Sequence, residues 1–311
     1  MKRAFLLALS VAVLFAGGTT FAQNDDITIG LVTINLQALF FNQINDGARA
    51  AAEEAGVTLN IIDARNDPAR QVNAVENFIT QGVDAIIVIA IDVEGIVPAL
   101  QAAQDEGIAV VAVDARIASP PADVFIGVDN LGAGQQAGAY TLGYLQALGD
   151  DGAEVGVVGA LNSFIQNLRR DGFTDVLAAD PTIEVVGVVD GQNVQETALT
   201  AAENLVTANP GMTTIYATGE PALIGAIAAV ESQGATDRVR IIGWDLSAQA
   251  VRGIDEGFVQ AVIQQDPYQE GVVAVESAIS LVNGEDVPAE ILIPVTIVTA
   301  ENVDDFRSLF E

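Results

Sequence analysis

The sequence predicts an α/β protein of two doubly wound domains, each a parallel sheet covered by helices on both faces. Short β-branched runs alternate with Ala-rich segments of helical spacing, and the helical segments tend to stop at Gly. The alternation breaks once, around 117–123, where Ser119-Pro120-Pro121 stands, and then restarts. About a dozen strands are too many for one open parallel sheet of ordinary size, so they divide between two similar domains of roughly 130 residues each.

In chain order, 27–33 reads as a strand and 44–55 as a helix closed by Gly56. A strand at 59–63 follows. Asp67-Pro68 then opens a helix to Gln81, because Asp is a good N-cap and Pro suits the first helical position. The unbroken apolar run 85–91 is a strand buried on both faces. A helix at 95–106 stops at Gly107, and 109–113 is the next strand. Beyond the break, the expected helices are 131–148, 164–179, 194–208, 222–233, 248–256 and 268–283. The expected strands between and after them are 154–159, 183–189, 213–217, 239–244, 259–264 and 291–298, with a terminal helix from about Val303.

Composition removes whole classes of chemistry. The 311 residues contain no His and no Cys, so disulfides, the usual zinc sites, a thiol nucleophile and an imidazole base are all excluded. Twelve Lys and Arg stand against 42 Asp and Glu, a formal charge of −30, which repels nucleic-acid backbones. Carboxylates leave hard-cation sites chemically open, but no metal or cofactor is expected. Half of the residues are hydrophobic, enough for sizeable cores.

The N-terminus reads as an address. Met1-Lys2-Arg3 is a positive start, 4–16 is an apolar stretch too short to span a bilayer comfortably, and Thr20-Phe21-Ala22 puts small residues at the cleavage positions. A buried first helix or a membrane anchor is the alternative. Residues 1–22 are therefore expected to be a signal peptide cleaved near Ala22, leaving a soluble periplasmic protein with no lysine, since Lys2 is the only one. A surface so acidic and so free of lysine suits a saline habitat.

In open parallel sheets, ligands bind beyond the carboxyl ends of the strands. Asp63, Asp92, Asp114, Asp129, Asp190, Asp245 and Asp266 all stand at strand ends. Asp92 and Asp190 read as caps or turns because helices start at once. Asp114 and Asp245 follow the very apolar runs VVAVD and IIGWD and precede further loop residues, so each is a candidate acceptor of ligand hydroxyls. Phe40-Phe41 offers either two core rings or a flat wall for the CH face of a sugar ring. Gln264 and Gln265 end a strand with amides that both donate and accept.

These motifs together carry a resemblance that covers nearly all of the chain after Ala22. IGLV with LFF and NDGA behind it, then GVDAIIV, AVVAVD, IGWD and IQQDP, resemble the periplasmic solute-binding proteins of the ribose-binding type, receptors of ATP-driven (ABC) sugar importers. The resemblance implies the type I periplasmic binding fold, two domains joined by a three-stranded hinge. Its crossovers fall near Val128, Gln265 and Thr296, giving one domain of 23–128 plus 266–296 and another of 129–265 plus 297–311. It implies ligand contacts by Phe40, Phe41, Asp114, Asp245 and Gln265. It also implies a monomer that hands a small hydroxylated ligand to a membrane permease and performs no catalysis.

The departures from the family pattern bear on the ligand. The Arg that follows the fourth-strand Asp is Ala115 here, with Arg116 one place late. The Arg early in the helix after Ser163-Phe164 is Asn167, with Arg169 and Arg170 further along. The Asn after the YAT strand is Gly219, followed by Glu220, and the aromatic near Val194 is Asn193. The Asn at the third strand's end is Ile89 or Ala90. Asn167, Glu220 and Trp244 are thus further candidates, Trp244 either as the replacement ring or as a core residue. Fewer bidentate donors point away from ribose, toward another monosaccharide, a deoxysugar, a polyol or a sugar-derived signal. A chemotaxis or quorum-signal receptor of the same fold is the alternative. A regulator would need a DNA-binding head, and a secreted enzyme would need a carboxylate pair that no spacing here specifies.

Overall fold

The computed structural model describes residues 27–117, 121–149 and 152–310. The expected signal peptide and Ser119-Pro120 lie outside the described residues.

The first sheet holds β1 (Thr28–Thr33), β2 (Thr58–Asp63), β3 (Ala85–Val88), β4 (Ala109–Val113), β5 (Val124–Gly127) and β11 (Glu290–Leu292), in the order β11-β5-β4-β3-β1-β2. All of its pairings are parallel. The second sheet holds β6 (Glu154–Gly159), β7 (Glu184–Asp190), β8 (Thr214–Ala217), β9 (Arg240–Trp244), β10 (Val259–Gln264) and β12 (Thr296–Val298), in the order β12-β10-β9-β8-β6-β7. Here only the edge strand β12 runs antiparallel. The chain crosses between the sheets after β5, after β10 and between β11 and β12.

Helices cover both faces of each sheet, as the strands demand. In β4, Val111 and Val113 enter one core and Val110 the core on the opposite face, so hydrophobic burial on both sides selects an unbroken apolar run. On the first sheet, α1 (Leu39–Ala55) and α9 (Pro267–Val282) cover one face, and α2 (Pro68–Gln81) and α3 (Val97–Asp105) the other. On the second, α4 (Asn130–Leu148) and α5 (Phe164–Leu177) face α6 (Gln195–Ala208), α7 (Glu220–Ser232) and α8 (Ala248–Asp255) across the sheet. A 3-10 helix, Val303–Phe310, closes the described chain.

Caps follow local chemistry. Asp67 accepts from the backbone N–H groups of Ala69 and Arg70 and caps α2. Asp129 caps α4, Ser163 caps α5 and Asp266 caps α9 in the same way. Asp63, Asp92 and Asp190 accept from backbone N–H groups in their own turns.

Five expectations are corrected. Strand β5 was not among the expected elements, because its four apolar residues sit directly after the Pro-rich break. The run 291–298 is two three-residue strands in different sheets, split where Ile293, Pro294 and Val295 carry the chain across. Proline offers no N–H to a ladder, so a strand through it is unfavourable. Strand β3 stops at Val88, and the Gln71 side chain then takes over the backbone of Ile89 and Ile91. The terminal helix is 3-10 rather than α, and α1 starts at Leu39, which takes Phe40 and Phe41 into its first turn.

Both domains bring a helix pair into backbone contact through glycines. A Cβ at Gly271 of α9 would stand 2.0 Å from the Ile44 carbonyl oxygen, and one at Gly47 of α1 would stand 1.9 Å from that of Tyr268. Between α4 and α5 the pair is Gly134, 2.3 Å from the Arg169 carbonyl oxygen, and Gly172, 2.2 Å from that of Leu131. Gly271→Val should therefore destabilise the protein by about 3 kcal/mol, the upper range of overpacking. Gly143→Ala, with no heavy atom within 4 Å of its Cβ, should be neutral or stabilising by up to about 1 kcal/mol. Urea melts of the two variants check both signs.

Candidate functional site

The two sheets end alike. Strand β4 delivers Asp114 and β9 delivers Asp245, and both take left-handed backbone conformations, with φ of 63° and 55°. Each is locked there by the neighbouring strand. The Asp114 N–H donates to the Ile126 carbonyl at 2.9 Å, and the Asp245 N–H to the Ile263 carbonyl at 3.0 Å. Aspartate tolerates this region better than most residues, and such strain concentrates at binding sites.

Between them lies Arg169, only 5% exposed. Its guanidinium rests on the Trp244 ring, 3.6 Å from the centroid. Nε donates to the Asn130 side-chain oxygen at 2.8 Å. The two terminal nitrogens donate to the Thr218 carbonyl and to Gln265 Oε1, each at 3.3 Å. Gln265 in turn donates from Nε2 to both Asp245 carboxylate oxygens, at 3.0 and 3.1 Å. Arg169 thus ties the entry to α4, the end of β8 and the residue that follows β10.

Three carboxylates share the field of this one cation. Burial pushes Asp114 up to about 6, with Arg169 opposing the rise and Asp245 adding to it. Burial also raises Asp245, against Arg169 and the Gln265 hydrogen bonds. Glu270, in the first turn of α9, is raised well above the ordinary range by burial and then by Asp114, Asp245 and Asp266. Burial lowers Arg169, while Asp245, Tyr216, Asp114 and Glu270 hold its proton on. Glu220 at the start of α7 is raised by burial and by Asp245.

Two openings border this cluster. A cleft of about 690 Å³ is lined by Asp114, Ala115 and Arg116 from the first domain and by Ser163, Phe164 and Leu168 from the second. A small cavity of about 40 Å³ is lined by Phe40 on one side and by Glu220, Asp245 and Gln264 on the other, with Leu309 and Phe310 from the terminal helix.

The candidates from sequence divide accordingly. Asp114, Asp245 and Gln265 come together around Arg169, and Phe40 and Glu220 reach the small cavity. Phe41 packs edge-on against Phe40, with centroids 5.4 Å apart, and both rings lie against the core between α1, α9 and the first sheet. Asn167 stands apart. It donates to the Leu161 carbonyl and accepts from Arg170, which closes the loop before α5. Trp244 is fully buried, donates to the Tyr216 hydroxyl at 2.7 Å, and has a face covered by Arg169. Arg116 is held over the Phe125 ring and paired with Glu290.

Three residues escaped the sequence reading. Arg169 looked displaced from the expected Arg position, and only the tertiary fold turns it inward. Glu270 sits among apolar helix residues, and a lone Glu at a buried helical position was its available signal. Phe164 is 75% exposed at the wall of the larger cleft, an aromatic face turned to the opening.

Replacing Arg169 strands buried carboxylates. Arg169→Met should cost about 3–5 kcal/mol in denaturant-induced unfolding near neutral pH, and less in acid, where protons replace the guanidinium. Asp114 has the opposite pH signature. Its folded-state pKa lies above the unfolded value, so its ionisation erodes stability as pH rises from about 4 to about 6. Asp114→Asn should gain on the parent by about 3 kcal/mol across that window, read as the difference between thermal melts of the ligand-free proteins.

Comparison with known proteins places this geometry. Residues 29–286 match the family described as periplasmic binding protein domain. The ribose import binding protein of Bacillus subtilis is 28% identical over 88% of each chain. A solute-binding protein from Actinobacillus succinogenes, crystallised with D-allose, superposes with a TM-score of 0.81 at 27% identity, covering 90% of this chain and 99% of the other. One from Mycobacterium smegmatis with bound glycerol is 30% identical, with a TM-score of 0.78, over 90% of this chain and 96% of that one. The matched span and the paired six-stranded sheets place this chain in the periplasmic binding protein family.

Proposed function

We propose that this protein captures a monosaccharide or a related polyhydroxylated small molecule between two closing domains and delivers it to an ABC importer. The observation that carries the reading is the placement of Asp114 and Asp245 at equivalent strand ends of the two sheets, Asp245 tied through Gln265 to Arg169 and Asp114 in the field of the same guanidinium. Carboxylates accept hydrogen bonds from adjacent hydroxyls, and burial makes each such bond selective, because an unpaired partner is costly. The relatives described as binding ribose, and the solved relatives holding D-allose or glycerol, support the same ligand class.

In this reading the rigid bodies are 23–128 with 266–296 and 129–265 with 297–311, and they hinge where the chain crosses between sheets. The open form binds on one body. Closure then adds groups from the other, and the ligand stabilises the closed state by contacts available only there. Phe40 and Phe164 supply apolar faces, Asp114, Asp245 and Gln265 take hydroxyls, and Arg169 holds the carboxylates in place. The protein acts in the periplasm as a monomer, alters no bond in its ligand and docks its closed surface on a membrane permease.

A thermal-shift screen of residues 23–311 against pentoses, hexoses, deoxysugars and polyols should yield at least one stabilising compound. At about 100 times its dissociation constant such a ligand adds about 2.7 kcal/mol. Asp114→Ala and Asp245→Ala should each weaken that ligand about tenfold or more in titration calorimetry, since each leaves hydroxyls unpaired in a closed cleft. Unchanged affinity in both variants would sink the site assignment.

A further inference from the structure

This inference rests on the binding-protein reading above and names the ligand class more narrowly. The openings beside Asp245 and beside Asp114 differ in size and in character. The one at Phe40 and Asp245 holds about 40 Å³, room for a few waters rather than a sugar ring. The one at Asp114 holds about 690 Å³ and is walled by both domains. Volumes of about 300–1,000 Å³ suit drug-sized ligands, so this cleft has room for more than a single sugar ring.

Its walls are apolar where a site for sugar alone would carry donors. The first domain contributes Val93, Ala115 and Ile117, and the second Phe164, Ile165 and Leu168. The polar side chains of the lining are mostly engaged already. Arg116 lies over the Phe125 ring and pairs with Glu290. Asn130 accepts from Arg169 and donates to the Val128 carbonyl. Asp129 and Ser163 cap α4 and α5. Asp114 is left as the inner acceptor for ligand hydroxyls, with the exposed Glu94 at the rim. Phe164 points the same way independently. A phenyl ring 75% exposed at the mouth of a cleft is apolar surface that the fold itself does not cover, and such surface marks binding sites. A flat apolar group gains there by burial and by stacking. A second hydroxylated ring would instead give up water for walls poor in donors, at a cost for each hydroxyl left unpaired.

From this we infer that the cleft takes a glycoside with an apolar aglycone, its sugar hydroxyls received by Asp114 and its aglycone laid along Phe164, Leu168 and Ile117.

The test compares matched pairs that differ by one phenyl group, namely phenyl glucoside with glucose, phenyl galactoside with galactose, and phenyl xyloside with xylose, each glycoside as both anomers. Titration calorimetry on residues 23–311 reads the affinity ratio within each pair. The glycoside should bind about tenfold or more tighter in at least one pair, a difference of about 1.4 kcal/mol. Phe164→Ala, verified as folded by its melt, should cut that ratio about fivefold, the scale of one aromatic pair. Free sugars that bind as well as their glycosides in every pair would overturn the inference and leave the monosaccharide reading standing. Silence from every pair would also overturn it, and the binding-protein reading would then be decided by the wider screen above. Phenol alone binding as tightly as the glycosides would overturn it too, by showing an apolar surface without a sugar site. A glycoside preference that survives Phe164→Ala unchanged would take the aglycone out of this cleft and overturn the assignment.

Discussion

The site is organised around one buried guanidinium. A charge this deep is tolerable only if it is hydrogen-bonded and answered nearby. All three Arg169 nitrogens donate, to Asn130, Thr218 and Gln265, the Trp244 ring covers one face, and Asp245, Asp114 and Glu270 lie in its field. Those partners come from the start of α4, the end of β8, the end of β9 and the residue after β10. Placing one side chain therefore places four segments of the second domain relative to the crossings between sheets.

The same structural solutions appear in both halves. Each sheet is six-stranded, each ends a central strand in an aspartate of positive φ, and each helix pair nearest the crossings meets through paired glycines. The glycines let helix backbones approach until carbonyl oxygens fill the space of a Cβ. That approach draws the helices, and with them Glu270 and Arg169, in toward the strand ends. Even the turns repeat, with positive φ at Arg65-Asn66 after β2 and at Gln192-Asn193 after β7. Asn66 then accepts from Asn35, and Asn193 from Gln166.

Charge is distributed unevenly in its consequences. The ion pairs of Arg49, Arg65, Arg70, Arg252 and Arg307 are substantially solvent-exposed and contribute little each. The many surface carboxylates keep the molecule solvated, whereas the few in the cleft sit where water cannot screen them.

The amino-acid sequence by itself determined the layered architecture. Strands of β-branched residues and glycine-stopped helices are local signals, and 109–113, 154–159 and 259–264 fall where their patterns end because hydrophobic period and capping act over a few residues. Asp67 as the cap of α2 was legible for the same reason. Asp114 and Asp245 were legible as strand-end carboxylates by their apolar approach runs. What only the tertiary structure decided is how distant groups meet. Asn167 and Arg169 are two residues apart on one helix, yet one bonds to the loop outside and the other enters the cluster, because helix rotation against α4 is set by Gly134 and Gly172. The 291–298 run splits between sheets because Pro294 lies where the chain crosses. Glu270 is an ordinary helical glutamate in sequence, and it becomes a buried carboxyl held toward its neutral form only when α9 packs on α1 and the first sheet, since desolvation belongs to the assembled environment rather than to the residue.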